Sequence, residues 1–135
     1  MTMTKGEIPV TTTSCREMID LTGQVQQLVA ASGIEEGICF LYNPHTTAGL
    51  IINEGADPDV QRDILGGLGQ IVPSDYPYLH GEGNSPAHLM TAMTSSSVTV
   101  FITQKRLQLG TWQRIFFCEF DGPRNRKVWW KIVAG

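Results

Sequence analysis

The chain predicts an α+β fold with a largely antiparallel sheet in its C-terminal half and a few helices. Three observations carry that expectation. Strand-like and helix-like stretches are mixed without strict alternation, which argues against a parallel doubly wound sheet. Three strand-like segments (97–103, 110–120 and 127–133) follow one another late in the chain, separated only by short turns at 104–106 and 121–126. Two helices open on the same signal, Asp57-Pro58 and Ser85-Pro86, a capping side chain followed by proline at the first helical position.

Each element has its own local reason. Residues 7–13 alternate and are rich in Thr and Val, an opening strand that Pro9 assigns to a sheet edge. Leu21, Val25, Leu28 and Val29 recur at helical spacing over 21–31; Gly33 stops the helix, and Asp20 or Thr22 caps its start. Residues 37–43 form a continuous apolar run, the mark of a buried strand. Pro44 breaks it, and 48–53 resume as a second strand. The helix opened by Asp57-Pro58 runs to about Leu68, weakened by Gly66, Gly67 and Gly69. Residues 76–84, rich in Pro, Gly and Tyr, form a long loop, and the helix after it ends near Met93.

Composition narrows the functional classes. With 135 residues, 41% hydrophobic and 17% charged, the chain reads as one globular domain, 1–135. A net charge of −3 argues against a nucleic-acid partner, whose backbone demands an excess of Lys and Arg. No apolar run approaches the ~20 residues of a membrane span, and residues 1–13 lack the apolar core of a secretory signal. Cys15, Cys39 and Cys118 are odd in number and lack CxxC spacing, which predicts free thiols in a reducing, cytoplasmic compartment.

The three histidines all fall at element edges: His45 at the break between two strands, His80 in the glycine-rich loop, His88 just inside the following helix. Three neutral imidazoles with one open position are the ligand set of a catalytic zinc site. The spacing is not a tight metal signature, and separate surface or capping histidines remain open on spacing alone. Glu54, Glu82, Glu119 and Asp121 are candidate bases. Glu119 shares a strand face with Ile115 and Phe117, so it needs either a partner or an elevated pKa, unless that face is solvated. Arg124 and Arg126 flank the turn after Asp121-Gly122-Pro123; Arg124 suits bidentate capture of an anion, with Glu119 five residues earlier as its resting partner. Thr46 and Thr47 offer hydroxyls beside His45. The run Gly66-Gly67-Leu68-Gly69 lies late in a helix and is discounted as a phosphate loop. Phe116-Phe117 and Trp129-Trp130 place large aromatics on both faces of their strands, which a domain with few helices covers by self-association.

Four separated blocks carry a resemblance over nearly the whole chain. They are His45-Thr46-Thr47-Ala48-Gly49-Leu50 to Asn53-Glu54; Tyr78-Leu79-His80 with Asn84-Ser85-Pro86-Ala87-His88-Leu89; Leu107-Gln108-Leu109-Gly110-Thr111-Trp112-Gln113; and Glu119-Phe120-Asp121-Gly122-Pro123-Arg124. Together they resemble the YjbQ-like family, often labelled secondary thiamine-phosphate synthase. The resemblance implies a largely antiparallel β-sandwich of orthogonally packed sheets and a homotrimer. It implies a divalent metal, zinc by donor type, on His45, His80 and His88, with Glu119, Arg124 and Glu82 as catalytic residues. Thr46, Thr47, Asn84, Arg124, Trp112 and Gln113 would bind a small anionic substrate. The sequence departs from the family where Gly81 replaces an acidic residue after His80, and where glycines are missing near Thr94-Ser95 and Lys105.

Three functions compete. The first is an enzyme joining a pyrimidine diphosphate to a thiazole phosphate with release of pyrophosphate. The second is a metal-dependent hydrolase of a small anionic metabolite, with Glu119 or Glu82 moving the proton. The third is a non-catalytic trimer that binds a metabolite. A three-histidine site suits zinc, nickel or iron better than the magnesium usual in diphosphate chemistry.

Overall fold

A computed structural model describes residues 2–135. In chain order the elements are β1 (Met3–Thr11), β2 (Glu17–Asp20), α1 (Thr22–Ser32), β3 (Gly37–Tyr42), β4 (Ala48–Glu54), α2 (Pro58–Ile71), α3 (Ser85–Met93), β5 (Ser97–Thr103), β6 (Arg106–Leu107), β7 (Gln113–Glu119) and β8 (Asn125–Ala134). The strands form a five-stranded sheet, ordered β1-β8-β3-β5-β6, and a three-stranded sheet, ordered β2-β7-β4. All the strand pairings are antiparallel. The fold is α+β, as expected.

The main core lies between the two sheets. Val10, Leu41, Val100, Val128 and Ile132 of the large sheet meet Ala48, Leu50, Ile115 and Phe117 of the small one, and α1 closes one side with Leu21, Val25 and Val29. Alternation sets the other face of β7: Phe116 and Cys118 point away from this core into a second cluster with Met90, Ala87 and Val72, flanked by Leu65 and Leu68. Both phenylalanines are thus covered within one chain, each burial being worth ~1.5–3 kcal/mol. This corrects the expectation that β7 needs a partner subunit: α2 and α3 lie over its outer face.

The outer face of the large sheet has no such cover. Ile38, Phe40 and Tyr42 alternate outward from β3, so this apolar strand is buried on one side only. Trp129 stacks on Tyr42 with ring centroids 5.9 Å apart, and Phe101 is 61% exposed nearby. Trp130 faces the opposite way and packs on the core.

Boundaries follow local chemistry with a few corrections. β1 is an edge strand, so Pro9 costs no ladder bond to a second neighbour. The residue at the N-cap of α1 is Leu21, which has no capping side chain, in place of Asp20 or Thr22; Asp20 Oδ1, one residue earlier, accepts from the Thr22 N–H at 2.9 Å, and Gly33, at φ 71°, ends the helix. Asp57 caps α2 by accepting from the Asp59 N–H. That helix continues to Ile71, past Leu68, because packing of Leu65 and Leu68 outweighs the low propensity of its glycines. The residue preceding α3 is Asn84, with Ser85 already helical. The strand expected from residue 110 starts at Gln113, after a turn in which the Gln113 side chain accepts from the Gly110 N–H. The short strands β2 and β6 carry too few residues for a periodic signal. No helix among the described residues is long and apolar enough to cross a membrane.

Candidate functional site

One end of the molecule collects most of the residues singled out in the sequence. His45, Thr46, Thr47, His80, Glu82, Asn84, His88, Arg124 and Arg126 line a single open cavity of about 420 Å³. That size falls in the range of ~300–1,000 Å³ typical of small-molecule sites. Four chain segments build it: the β3–β4 connection, the loop before α3, the first turn of α3, and the turn into β8.

The β3–β4 connection is tied by Asn43, which is buried. Its Oδ1 accepts from the His45 N–H at 3.1 Å, and its Nδ2 donates to the carbonyls of His45 and Ala48. The sequence marks this anchor only as the turn-forming dipeptide Asn43-Pro44. Asn43 thereby fixes His45, whose Nε2 accepts from the Lys127 N–H at 2.9 Å and lies 3.1 Å from the Lys127 carbonyl oxygen. Burial pushes the His45 pKa down and the Arg126 charge lowers it further, against smaller upward contributions from the Lys127 carbonyl and Glu119.

The loop before α3 turns back through Gly83, whose φ of 73° suits glycine. This brings the exposed His80 to His88, ring centroids 5.3 Å apart and nearly perpendicular. His80 and His88 are therefore a pair, and His45 lines the same cavity with Nε2 committed to the β8 backbone. Among the described residues no three His, Cys, Asp or Glu side chains stand close enough to share one ion. As the side chains stand, the three-histidine ligand set does not fit a metal.

Glu119 is fully buried, and its partner is Arg126 in place of the expected Arg124. Arg126 donates from Nε to Oε1 at 2.9 Å and from Nη2 to Oε2. The Thr12 hydroxyl and the Asp121 N–H also donate to Glu119, at 2.8 and 3.0 Å. Burial alone would raise the Glu119 pKa; the hydrogen bonds from Arg126, Asp121 and Thr12, with the Arg126 charge, bring it below the ordinary value. The partner differs because β7 and β8 belong to different sheets. The Asp121–Arg124 turn crosses between the sheets, and Arg126, one strand repeat further on, is the residue facing back into the gap. Gly122 makes the crossing possible: a Cβ there would collide with the Ser14 carbonyl and stand 2.8 Å from Glu119 Cγ.

Arg124 instead folds onto Asp121, donating from Nη2 to Oδ2 at 2.9 Å and from Nε to the carbonyl at 2.8 Å, with 51% of its side chain exposed. Asp121 also accepts from Asn84 Nδ2 at 2.9 Å, which links the turn to the start of α3. Burial opposes ionisation of Asp121, but the Asn84 and Arg124 hydrogen bonds lower its pKa overall.

The remaining candidates lie elsewhere. Trp112 and Gln113 stand at the opposite end of β7 from Glu119, lining two other cavities with Arg114. Glu54 sits opposite Gln113 in the β4–β7 register. Within one chain none of the three reaches the histidine cavity. Glu82 lines that cavity, is exposed, and among the described residues takes part in no hydrogen bond or ion pair.

Comparisons with known proteins agree over the whole fold. The family model described as "UPF0047 protein YjbQ-like" matches residues 6–135. The UPF0047 protein YugU of Bacillus subtilis is 43% identical over 128 residues, covering 94% of this chain and 97% of its own. A UPF0047 protein of Methanocaldococcus jannaschii is 42% identical, covering 93% of this chain and 91% of its own. Among solved structures, a yjbq/upf0047-family protein of Clostridium acetobutylicum superposes with a TM-score of 0.91 at 47% identity, covering 94% of this chain and 98% of its own. A YbjQ-like protein of unknown function from Sulfolobus solfataricus gives 0.93 at 32% identity, with 98% of each chain covered.

Proposed function

Because the chain belongs to the UPF0047 YjbQ-like family, we propose that the histidine–arginine cavity is its working site and takes a small anionic metabolite, as a secondary thiamine-phosphate synthase-like protein would. The observation that carries this reading is the convergence of three histidines, two arginines and two threonine hydroxyls on one cavity in a chain of net charge −3. Donors gathered against the overall charge of the molecule select for an anion. A pyrimidine diphosphate and a thiazole phosphate both present oxyanions, and a leaving pyrophosphate would be held by the same donors.

Glu82 favours a second reading, hydrolysis of one small phosphate ester, because it is a cavity carboxylate free to serve as a base. Glu119 serves neither reading as a base; Arg126, Thr12 and the Asp121 N–H occupy it. A pyrophosphate-release assay separates the readings. Release only with both substrates supports synthase activity, phosphate release from one substrate alone supports hydrolysis, and turnover of neither leaves a binding protein.

A divalent ion, zinc by donor type, is proposed to enter at His80 and His88, with His45 joining only through Nδ1. Elemental analysis of protein purified without chelator, repeated on His80→Ala, tests this; a stoichiometric metal lost in the variant is the expected result. The uncovered aromatic face of the large sheet is proposed as the interface of a homotrimer. The buried, unpaired thiols Cys39 and Cys118 suit a cytoplasmic setting.

A further inference from the structure

The two arginines of the cavity are not equivalent. Arg126 is only 8% exposed, yet it lines the cavity. Its Nε and Nη2 are spent on Glu119 and Thr47, with Nη2 2.8 Å from Thr47 Oγ1 and 3.3 Å from the Thr47 carbonyl. Among the described residues Nη1 has no partner. It is not sealed off either, because the one enclosed side-chain polar atom left without a partner is Asn84 Oδ1. Nη1 thus keeps two N–H donors unspent. Thr47 completes the arrangement: its Oγ1 accepts from Arg126, so its own hydroxyl hydrogen is free to donate, and Thr47 lines the same cavity.

We infer that Arg126 and Thr47 together form the anchor for a phosphoryl oxyanion, and that Arg124 is a secondary contact. The inference rests on the reading of this cavity as an anion site. Three physical reasons favour Arg126 over the more obvious Arg124. The Arg126 guanidinium is fixed by a carboxylate that is itself held by Thr12 and the Asp121 N–H, so little ordering entropy remains to be lost on binding. Arg124 leans on a half-exposed pair three residues away, which solvent screens. Burial also lowers the local dielectric around Arg126, which strengthens each hydrogen bond it makes to an anion.

The paired Glu119 shapes the ligand class. It cancels the charge of Arg126 while leaving its donors in place, so the anchor recognises direction more than net charge. Nη1, the Thr47 hydroxyl, Arg124 and Thr46 all line the one cavity, and donors drawn from several side chains suit the three oxygens of a tetrahedral phosphate better than the two of a planar carboxylate. A terminal phosphate is the chemistry that fits.

Calorimetric titration with inorganic phosphate tests the assignment in the wild type, Thr47→Val, Arg126→Lys and Arg124→Lys, with thermal melts of each. Thr47→Val keeps both Glu119–Arg126 bonds and the Thr47 carbonyl contact to Nη2, so it disturbs the buried pair less than a change at Arg126; it is expected to weaken phosphate about 3- to 10-fold. Arg126→Lys is expected to weaken it about 10- to 100-fold, more than Arg124→Lys does. If Arg126→Lys fails to fold, Thr47→Val decides. Unchanged phosphate affinity in Thr47→Val, or a larger loss in Arg124→Lys than in Arg126→Lys, overturns the anchor while the anion cavity stands. A wild type that binds no phosphate, with or without added zinc, overturns the anion cavity itself.

Discussion

His45 receives the Lys127 N–H on its Nε2 at 2.9 Å, so a side chain from the β3–β4 connection occupies a backbone donor of β8. With Nε2 accepting that N–H, the favoured ring is the neutral one carrying its proton on Nδ1. The low polarity around the ring and the neighbouring Arg126 act in the same direction.

The first prediction follows from the burial of that ring beside Arg126. His45 should protonate below the ordinary histidine value of about 6.5. A depressed folded-state pKa means the unfolded chain binds the proton more readily, so His45 contributes stability above about pH 6.5 that is lost as pH falls through its folded pKa. Nitrogen-15 NMR titration of the three imidazoles checks this; a His45 resonance titrating at or above the ordinary value would refute it.

Glu119→Gln should be among the most destabilising single changes in the chain. It strands a buried Arg126, at a cost of about 3–5 kcal/mol. The acid limb carries a second signature. The Glu119 pKa is lowered on folding, so its contribution is present above the unfolded value of about 4.3 and is lost as pH falls through the folded pKa. Urea melts of wild type and variant across pH 3–6 should converge toward the acid end, as expected of a carboxylate that loses its proton on folding. Parallel curves would show that Glu119 is not the group titrating.

Thiol chemistry should separate one cysteine from two. Cys15 is exposed, while burial pushes the Cys39 and Cys118 thiols up to about 12. A thiol reagent at neutral pH should therefore label one group quickly in the native protein and three after denaturation. Fast labelling of two or three groups in the folded state would contradict the packing of β3 and β7.

The β5–β6 hairpin turns through Gln104 and Lys105 at φ 52° and 66°, a conformation that costs a non-glycine residue roughly 1–2 kcal/mol. Lys105→Gly should recover part of that, about 0.5–1 kcal/mol after the added flexibility of the unfolded chain. The exposed Lys105–Glu35 pair lost in the change counts for little. A lower melting temperature for the variant would show that the side chain matters more than the backbone.

The outer face of the large sheet should govern assembly. Trp129→Asp, placed beside the stacked Tyr42, should convert a homotrimer to monomer in sedimentation at micromolar concentration without loss of fold. A wild-type monomer under the same conditions would remove the assembly proposal and leave the exposed Phe40, Tyr42 and Phe101 without an account.

Most of the elements were legible along the chain because their causes are local. Asp57-Pro58 makes a cap whichever fold follows, Gly33 ends a helix by its own freedom, and Pro9 keeps β1 at an edge. The histidines at element edges were equally visible, since turns and caps are sequence features. Pairings across the sheets were not. Glu119 is five residues from Arg124 and seven from Arg126, and nothing in that spacing says which faces it. The answer depends on β7 and β8 lying in different sheets, so that the turn passes from one sheet to the other and alternation brings Arg126 inward. The same holds for β7 itself: the sequence by itself determined that both its faces carry large aromatics, while only the tertiary structure decided that α2 and α3 cover one of them. Propensity and capping act over a few residues; burial of a charge or an aromatic ring is settled by segments far apart in the chain that meet only once the sheets have packed.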